Sequence, residues 1–439
     1  MSPTRRKFMQ QSALLAASTV SPSFPSLASK KRVVLVGTGI RGSSLWGKQL
    51  LAQYGDKVEM VGLCDINPGR AEFAKKYMGA TCPVFTDFDV MLSTVKPDMV
   101  IVTTVDGTHH QFIIKGLNFG CEVITEKPMT TNEMKCQAIL NTMAQTGNKL
   151  TVTFNYRYSP ARQKMYEILR SGAIGDITSV DFHWYLDTSH GASYFRRWHG
   201  IRQQSGTLLV HKATHHFDLL NWLLESEPEE VFAYGSLDYY GKKGPFRGTN
   251  CRTCIHKSEC KFYWPLDAHS QALYADHEQY DGYLRDACLF RNDIDIYDKM
   301  AVQIKYANNV QVSYSLTTYS PYEGYRLAFN GTKGRLETWI KESQPWPEEP
   351  IDELHLTTLF GEREIIKVAQ HDGHGGGDKL MQDAIFRPET TPDKNRLKAS
   401  VRDGAMSALI GIAARKSIEE HRLIRIEALT SLRPQAVRP

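Results

Sequence analysis

The 439-residue sequence predicts an α/β fold in two parts: a doubly wound parallel sheet, then a larger α+β domain on a largely antiparallel open sheet. Three observations carry this. Apolar strand patterns alternate with helical ones as far as residue 154. The first strand runs straight into a turn with glycines at positions 37, 39 and 42. From about residue 155 the alternation breaks, and strand patterns follow one another across short turns. Division at that change gives domains of 29–154 and 155–439. The roughly 410 residues beyond a short leader suffice for two domains.

Val33-Val34-Leu35-Val36 is an unbroken apolar run, the pattern of a central parallel strand covered on both faces. Gly37, Gly39 and Gly42 then fall at the spacing that lets a backbone turn sharply, approach a pyrophosphate and pack closely on a helix. The helix predicted over 43–54 directs free N–H groups and the positive end of its dipole at that pyrophosphate. Thr38, Ile40 and Arg41 complete the turn and are counted with its glycines as nucleotide contacts. A second strand over 58–64 ends at Asp65, whose carboxylate can accept from both adenosine ribose hydroxyls and repel a 2′-phosphate. NAD is therefore favoured over NADP, with Arg41 and Arg70 as the side chains that soften the choice.

The alternation continues with a helix over 69–78, another ending at residue 93, and a strand over 98–104. A helix over 110–119, a strand over 121–125, a helix over 132–146 and a strand over 149–154 complete the first sheet. Ligands of such sheets bind beyond the strand C-termini, where Gly37, Asp65, Thr104 and Lys127 all fall.

The motifs at those ends are Gly37-x-Gly39-x-x-Gly42, Thr104-Val105-Asp106-Gly107-Thr108-His109 and Glu126-Lys127-Pro128. Together they resemble the Gfo/Idh/MocA oxidoreductases, a family of sugar and cyclitol dehydrogenases with an N-terminal Rossmann domain. The family's third-strand loop reads Thr-Pro-Asn-x-x-His; here Val105 and Asp106 replace its Pro and Asn, whereas Glu-Lys-Pro matches unchanged. The resemblance implies cofactor contacts from Thr104, His109 and Glu126, and a cis bond before Pro128. It also implies that Lys127 points at the reacting hydroxyl beside the nicotinamide. An ammonium there can stabilise a developing alkoxide, or have its own pKa lowered by desolvation.

In the second domain, Asn155-Tyr156-Arg157-Tyr158 resembles the family's crossover segment and is followed by a helix over 161–171. Strands are predicted over 177–186, 230–240, 299–306, 310–318, 325–331, 334–340 and 423–426, with a packing helix over 401–420. Chemistry centres on His211-Lys212-Ala-Thr-His215-His216-Phe-Asp218. By the resemblance, His215 matches the catalytic histidine and Asp218 its following carboxylate, while His211 stands where most members carry aspartate. The spacing puts His211, His215 and Asp218 on one helix face, with His216 off it. A histidine poised near neutral pH can remove a hydroxyl proton while hydride leaves the adjacent carbon. Arg157, Tyr194, Arg197, His211, Lys212 and Asp218 are the candidate substrate-binding residues, with His374 in a glycine-rich loop over 371–378 that could close on substrate. The change at His211, with Lys212 adding positive charge nearby, implies either a substrate richer in acceptors or a rearranged proton path.

Cys251, Cys254, Cys260 and Cys288 form a group within an insertion at about 241–290. Four thiolates can hold a structural zinc, and disulfides are the competing reading. Cys64, Cys82, Cys121 and Cys136 fall in or beside predicted elements and are expected to be core thiols.

Residues 1–28 read as an export leader: Arg5-Arg6-Lys7-Phe8, a short apolar run over 13–20, and Ser26-Leu27-Ala28 as a cleavage site. The paired arginines resemble the bacterial twin-arginine signal, which implies the twin-arginine export machinery as a partner and a periplasmic address. The run is too short and serine-rich to anchor the chain in a bilayer. Loss of the leader's three basic residues takes the formal charge from +5 to +2, and no basic block remains, which argues against nucleic acid as a partner. The expected partners are a carbohydrate-like small molecule and further copies of the chain, paired through the open sheet. Two enzymatic classes stay open: an NAD-dependent oxidoreductase acting on a sugar, glycoside or cyclitol hydroxyl, and a glycoside hydrolase that keeps NAD bound and oxidises its substrate transiently. A binding protein with a degenerate nucleotide site is the weak third, because the glycine and lysine motifs are intact.

Overall fold

A computed structural model describes residues 30–370, 375–390 and 393–439. The leader and His374 therefore lie outside the described residues.

Six parallel strands form the first sheet: β1 (Lys31–Val36), β2 (Val58–Cys64), β3 (Val84–Phe85), β4 (Met99–Val102), β5 (Glu122–Glu126) and β6 (Leu150–Thr153). Their order is β3-β2-β1-β4-β5-β6, so the chain reverses its direction of travel between β1 and β4. A crevice opens at that switch, beyond the strand ends. Val33 to Val36 are fully buried, as expected of a strand covered by helices on both faces.

The helix expected over 43–54 begins earlier, at Ile40, directly after Gly39. Its middle, Ser44–Gln49, is a π-turn set between Ile40–Ser43 and Leu50–Tyr54. Trp46 lies in that wide turn, wholly buried, and donates through its indole N–H to Glu126 at 2.8 Å. The expected strand over 98–104 stops at Val102, because Thr103 turns out of the sheet and its hydroxyl donates to the carbonyl of Gly37. Both differences bring the glycine turn and the loops after β4 and β5 together.

The second sheet has nine strands. They are β7 (Ile177–Asp187), β8 (Pro228–Ser236), β9 (Lys299–Tyr306), β10 (Gln311–Ser320), β11 (Glu323–Gly331), β12 (Gly334–Ser343), β13 (Ile351–Thr358), β14 (Arg363–Ala369) and β15 (Ile424–Arg425). Their order is β14-β13-β12-β11-β7-β10-β9-β8-β15, antiparallel except where β10 pairs with β7. β13 and β14 are additions to the expected set; they extend the sheet as a hairpin beside β12. Strict alternation along β9 turns Met300, Val302, Ile304 and Tyr306 inward and their neighbours to solvent.

Helices Ala213–Leu224 and Val401–Glu420 lie against one another on the inner face of this sheet. Val401–Glu420 also reaches the first domain, through Lys416 to Glu133 at 3.1 Å and Arg415 to the carbonyl of Thr131 at 3.1 Å. Gly404 and Gly411 permit the approach: a Cβ would lie 2.6 Å from Val152 at the first and 2.3 Å from the carbonyl of Leu209 at the second. Cys64, Cys82, Cys121 and Cys136 are buried thiols, as expected from their positions.

Candidate active site at the ends of the parallel sheet

The glycine turn is built as a cradle. Gly37 has φ +89°, a left-handed conformation that favours glycine, and a Cβ there would lie 2.6 Å from the backbone of Thr103. A Cβ on Gly42 would lie 2.2 Å from the carbonyl of Gly37. Gly39 is different: its Cβ would project into space bounded only by the Tyr274 hydroxyl at 3.4 Å. That is the opening a pyrophosphate needs, so the turn fits a dinucleotide.

Around this cradle the charged side chains are already paired. Asp65 accepts from the N–H and hydroxyl of Thr38 at 2.7 and 2.9 Å, from Asn67 N–H at 3.0 Å and from Arg70 at 2.9 Å. Arg70 also binds Asp281 at 2.7 Å. Arg41 donates to Glu126 at 2.8 Å and to Asp378 at 2.9 Å. Both arginines that bear on the NAD/NADP choice are thus held between two carboxylates. His109 departs from the expected cofactor contact: it is buried, with Nδ1 2.8 Å from the carbonyl of Pro128 and Nε2 3.0 Å from that of Thr104. It ties the loop after β4 to the loop after β5. The bond between Lys127 and Pro128 is cis.

Lys127 is half-buried at the tip of β5, and its ammonium donates to the carbonyl of His211 at 3.0 Å. Burial lowers its pKa to about 8, although Asp106 and Glu126 pull the other way. His211 ends the short helix Leu208–His211, and a break at Lys212 separates it from Ala213–Leu224. The single helix face expected for His211, His215 and Asp218 is therefore interrupted. The break swings His211 towards the loop after β4, where its Nδ1 lies 2.6 Å from Asp106 Oδ2. Asp106 fixes the ring through Nδ1, leaving Nε2 to exchange a proton with a ligand. Burial, together with the Lys127 cation, holds the His211 pKa well below its usual value, so the ring is neutral near pH 7.

Aromatic rings wall this corner. His199 meets His211 edge-on at 4.1 Å and stacks under Trp198 at 3.6 Å. Tyr194 approaches His211 at 5.3 Å, and its hydroxyl joins His190, which binds Glu323 at 2.7 Å. Arg197 lies over the Tyr194 ring. On the other side, Lys212 donates to the Tyr156 hydroxyl at 3.0 Å, and Tyr156 stacks on His215 at 4.1 Å. His216 packs in the core against Trp184, with Nδ1 2.7 Å from the Tyr314 hydroxyl. The fold thus gathers Lys127, Tyr194, Arg197, His211, Lys212 and His215 into one crevice. It adds Asp106, Tyr156 and His199, which the sequence did not single out as site residues.

Arg157 and Asp218 are corrections. Both side chains are completely buried, and Arg157 grips Asp218 with Nε at 2.7 Å and Nη2 at 2.5 Å. Asp403 and Arg438 extend the network. A doubly bonded, wholly enclosed pair has no face left for substrate, so these residues fasten the crossover segment to the helices beneath the sheet.

The cysteine group departs from expectation as well. Cys251, Cys254, Cys260 and Cys288 do line one cavity, but all four are free thiols. Arg196 donates to Cys251 Sγ at 2.9 Å, and Phe246 and Phe290 share the cavity wall. Among the described residues no group of three or more His, Cys, Asp or Glu is arranged to hold a metal ion. The zinc expectation therefore has no support in this geometry, and no disulfide takes its place.

The insertion that carries these cysteines also reaches the cradle. Tyr274 accepts the Ile40 N–H at 2.8 Å, and the carbonyl of His277 accepts from Asn67 Nδ2 at 2.8 Å.

Comparison with known proteins agrees with this fold. Residues 31–154 match the family profile described as oxidoreductase family, NAD-binding Rossmann fold, and residues 167–426 match its C-terminal alpha/beta domain. YteT of Bacillus subtilis (strain 168), described as an oxidoreductase, is 39% identical over 91% of this chain and 98% of its own length. The D-glucoside 3-dehydrogenase of Escherichia coli (strain K12) is 28% identical over 34% of this chain and 42% of its own length. The crystal structure of myo-inositol 2-dehydrogenase from Lactobacillus plantarum superposes with a TM-score of 0.62 at 16% identity, covering 90% of this chain and 99% of that one.

Proposed function

The chain belongs to the Gfo/Idh/MocA oxidoreductase family, and within it we propose an NAD-dependent enzyme that oxidises a hydroxyl of a sugar, glycoside or cyclitol. The carrying observation is that the Lys127 ammonium and the Asp106–His211 pair meet beyond the ends of β4 and β5, next to Glu126, which binds Arg41 of the glycine turn. A nicotinamide bound there supplies the hydride acceptor. Lys127 donates to the substrate oxygen and stabilises negative charge as it develops. His215, stacked on Tyr156, is the base that receives the hydroxyl proton, and His211, oriented by Asp106, positions the substrate beside it. Trp198 and Tyr194 offer flat apolar faces and Arg197 a forked donor, a combination that suits a polyhydroxylated ring.

NAD is preferred over NADP in this reading, because Asp65 stands at the tip of β2 and Arg41 and Arg70 are neutralised by carboxylates. Redox-neutral glycoside hydrolysis is the second reading, favoured by the insertion lying across the nucleotide end of the crevice. Twin-arginine export to the periplasm rests on the leader sequence. Among the described residues no helix is long and apolar enough to cross a membrane. Pairing of copies is assigned to the outer face of the nine-stranded sheet, where Tyr185, Tyr322 and Trp339 cluster.

The test is incubation of purified protein with NAD and a panel of sugars, cyclitols and nitrophenyl glycosides. Net NADH formation supports the dehydrogenase. Aglycone release without net NADH supports the hydrolase, and neither product from any compound overturns both.

A further inference from the structure

We propose that the insertion between β8 and β9 is part of the dinucleotide site and makes the nucleotide a resident cofactor. The inference rests on the reading that the glycine cradle binds a dinucleotide. The strap formed by residues 268–285 crosses the cradle from end to end. At the pyrophosphate end stands Tyr274, almost wholly buried, its hydroxyl 2.8 Å from the Ile40 N–H and bordering the opening left by Gly39. Its oxygen accepts that N–H, which leaves the Tyr274 O–H free to donate to a phosphate oxygen.

At the adenosine end the strap is fastened twice. The carbonyl of His277 takes a hydrogen bond from Asn67, and Asp281 takes one from Arg70, whose other partner is Asp65. The approach is close enough that a Cβ on Gly69 would lie 2.4 Å from His277 Nδ1. Between the two ends, Arg285 lies over the rings of Tyr274 and Trp264, and Tyr283 packs edge-on to Tyr274. The far margin of the insertion is anchored too: Cys251 N–H donates to the carbonyl of Asp286 at 2.8 Å, and Asn250 bridges Ala287. A nucleotide in the cradle is thus enclosed between the sheet end and a strap pinned on both sides. Release requires breaking the Arg70–Asp281 and Tyr274 contacts together.

The test measures bound nucleotide and its exchange in the full chain. Protein purified without added cofactor is denatured and the released dinucleotide is quantified. Exchange is followed by loading radiolabelled NAD and chasing with an excess of unlabelled NAD. The wild type is expected to retain dinucleotide through prolonged dialysis, and Tyr274→Phe and Asp281→Asn are each expected to release it about tenfold faster. Melting temperatures near that of the wild type keep the comparison valid, and the two variants alter different ends of the strap. Wild-type exchange complete within seconds, or both folded variants releasing at the wild-type rate, overturns the proposal. Failure of the wild type to bind NAD at all in equilibrium dialysis overturns the underlying dinucleotide reading instead.

Discussion

Asp106 and His211 stand 105 residues apart in sequence and 2.6 Å apart in the crevice. One comes from the loop after β4 and the other from the end of a four-residue helix, so the contact joins the two domains across the site. Each occupies a position where the family pattern carries a different residue. By the resemblance, a carboxyl is expected on the helix; here the loop offers one and an imidazole stands at the helix position.

Asp106→Asn keeps the shape of that pair but removes the carboxyl that orients the ring. Turnover of whichever substrate the panel identifies is expected to fall by about 10²-fold, with NAD affinity by calorimetry unchanged. His211→Ala is expected to cost as much or more. Wild-type turnover in Asp106→Asn would remove the pair from the chemistry.

Lys127→Ala is expected to lower turnover by about 10³-fold while NAD still binds. The lysine also leaves a mark on stability. Its pKa is near 8 in the folded chain and 10.5 as an ordinary lysine, so between these values the unfolded chain binds the extra proton. Stability contributed at this position therefore rises as pH climbs from about 8 to 10.5, where the buried group sheds its charge. Relative to Lys127→Met, the wild type should gain ground across that window in denaturant melts, and a constant difference would contradict the assignment.

Asp218→Ala leaves Arg157 charged and enclosed. A loss of about 3–5 kcal/mol in unfolding free energy is expected, read from the denaturant midpoint. KM of the surviving folded protein should stay near the wild-type value. A raised KM with unchanged stability would return Asp218 to the substrate.

Gly42→Ala forces a methyl group to within 2.2 Å of the Gly37 carbonyl, and the turn must open to accept it. Dinucleotide binding is expected to fall below detection in calorimetry. The second domain should keep its fold, since the nine-stranded sheet packs on its own helices.

Much of the first domain was legible, because its order is local. A strand over 58–64 and a helix ending at Met78 need only apolar runs, an Asn cap and a glycine stop, and Asn67 and Gly79 supply the last two. The ends of the parallel strands followed from the alternation itself. The β13–β14 hairpin was missed because the proline-rich stretch Ser343-Gln-Pro-Trp-Pro-Glu-Glu-Pro350 breaks the run of strand patterns, and the alternation of Ile351, Glu353 and Leu354 after it is mixed. Arg157 and Asp218 looked like substrate-binding residues because both are polar and fall in motif segments; their burial depends on packing that no local pattern encodes. The same limit hid the Asp106–His211 bond and the strap contacts of Tyr274 and Asp281. The wide turn around Trp46 had no signal, since the indole's partner, Glu126, lies 80 residues further on.

The helix Val401–Glu420 sets how this crevice can move. It grips Glu133 and Thr131 of one domain and lies against β8 and Ala213–Leu224 of the other. A splint of that kind resists clamshell opening, so Lys127 and His211 hold their separation whether or not a ligand is present. Selectivity should then reside in the fixed lining of Trp198, Tyr194 and Arg197 rather than in a closing jaw.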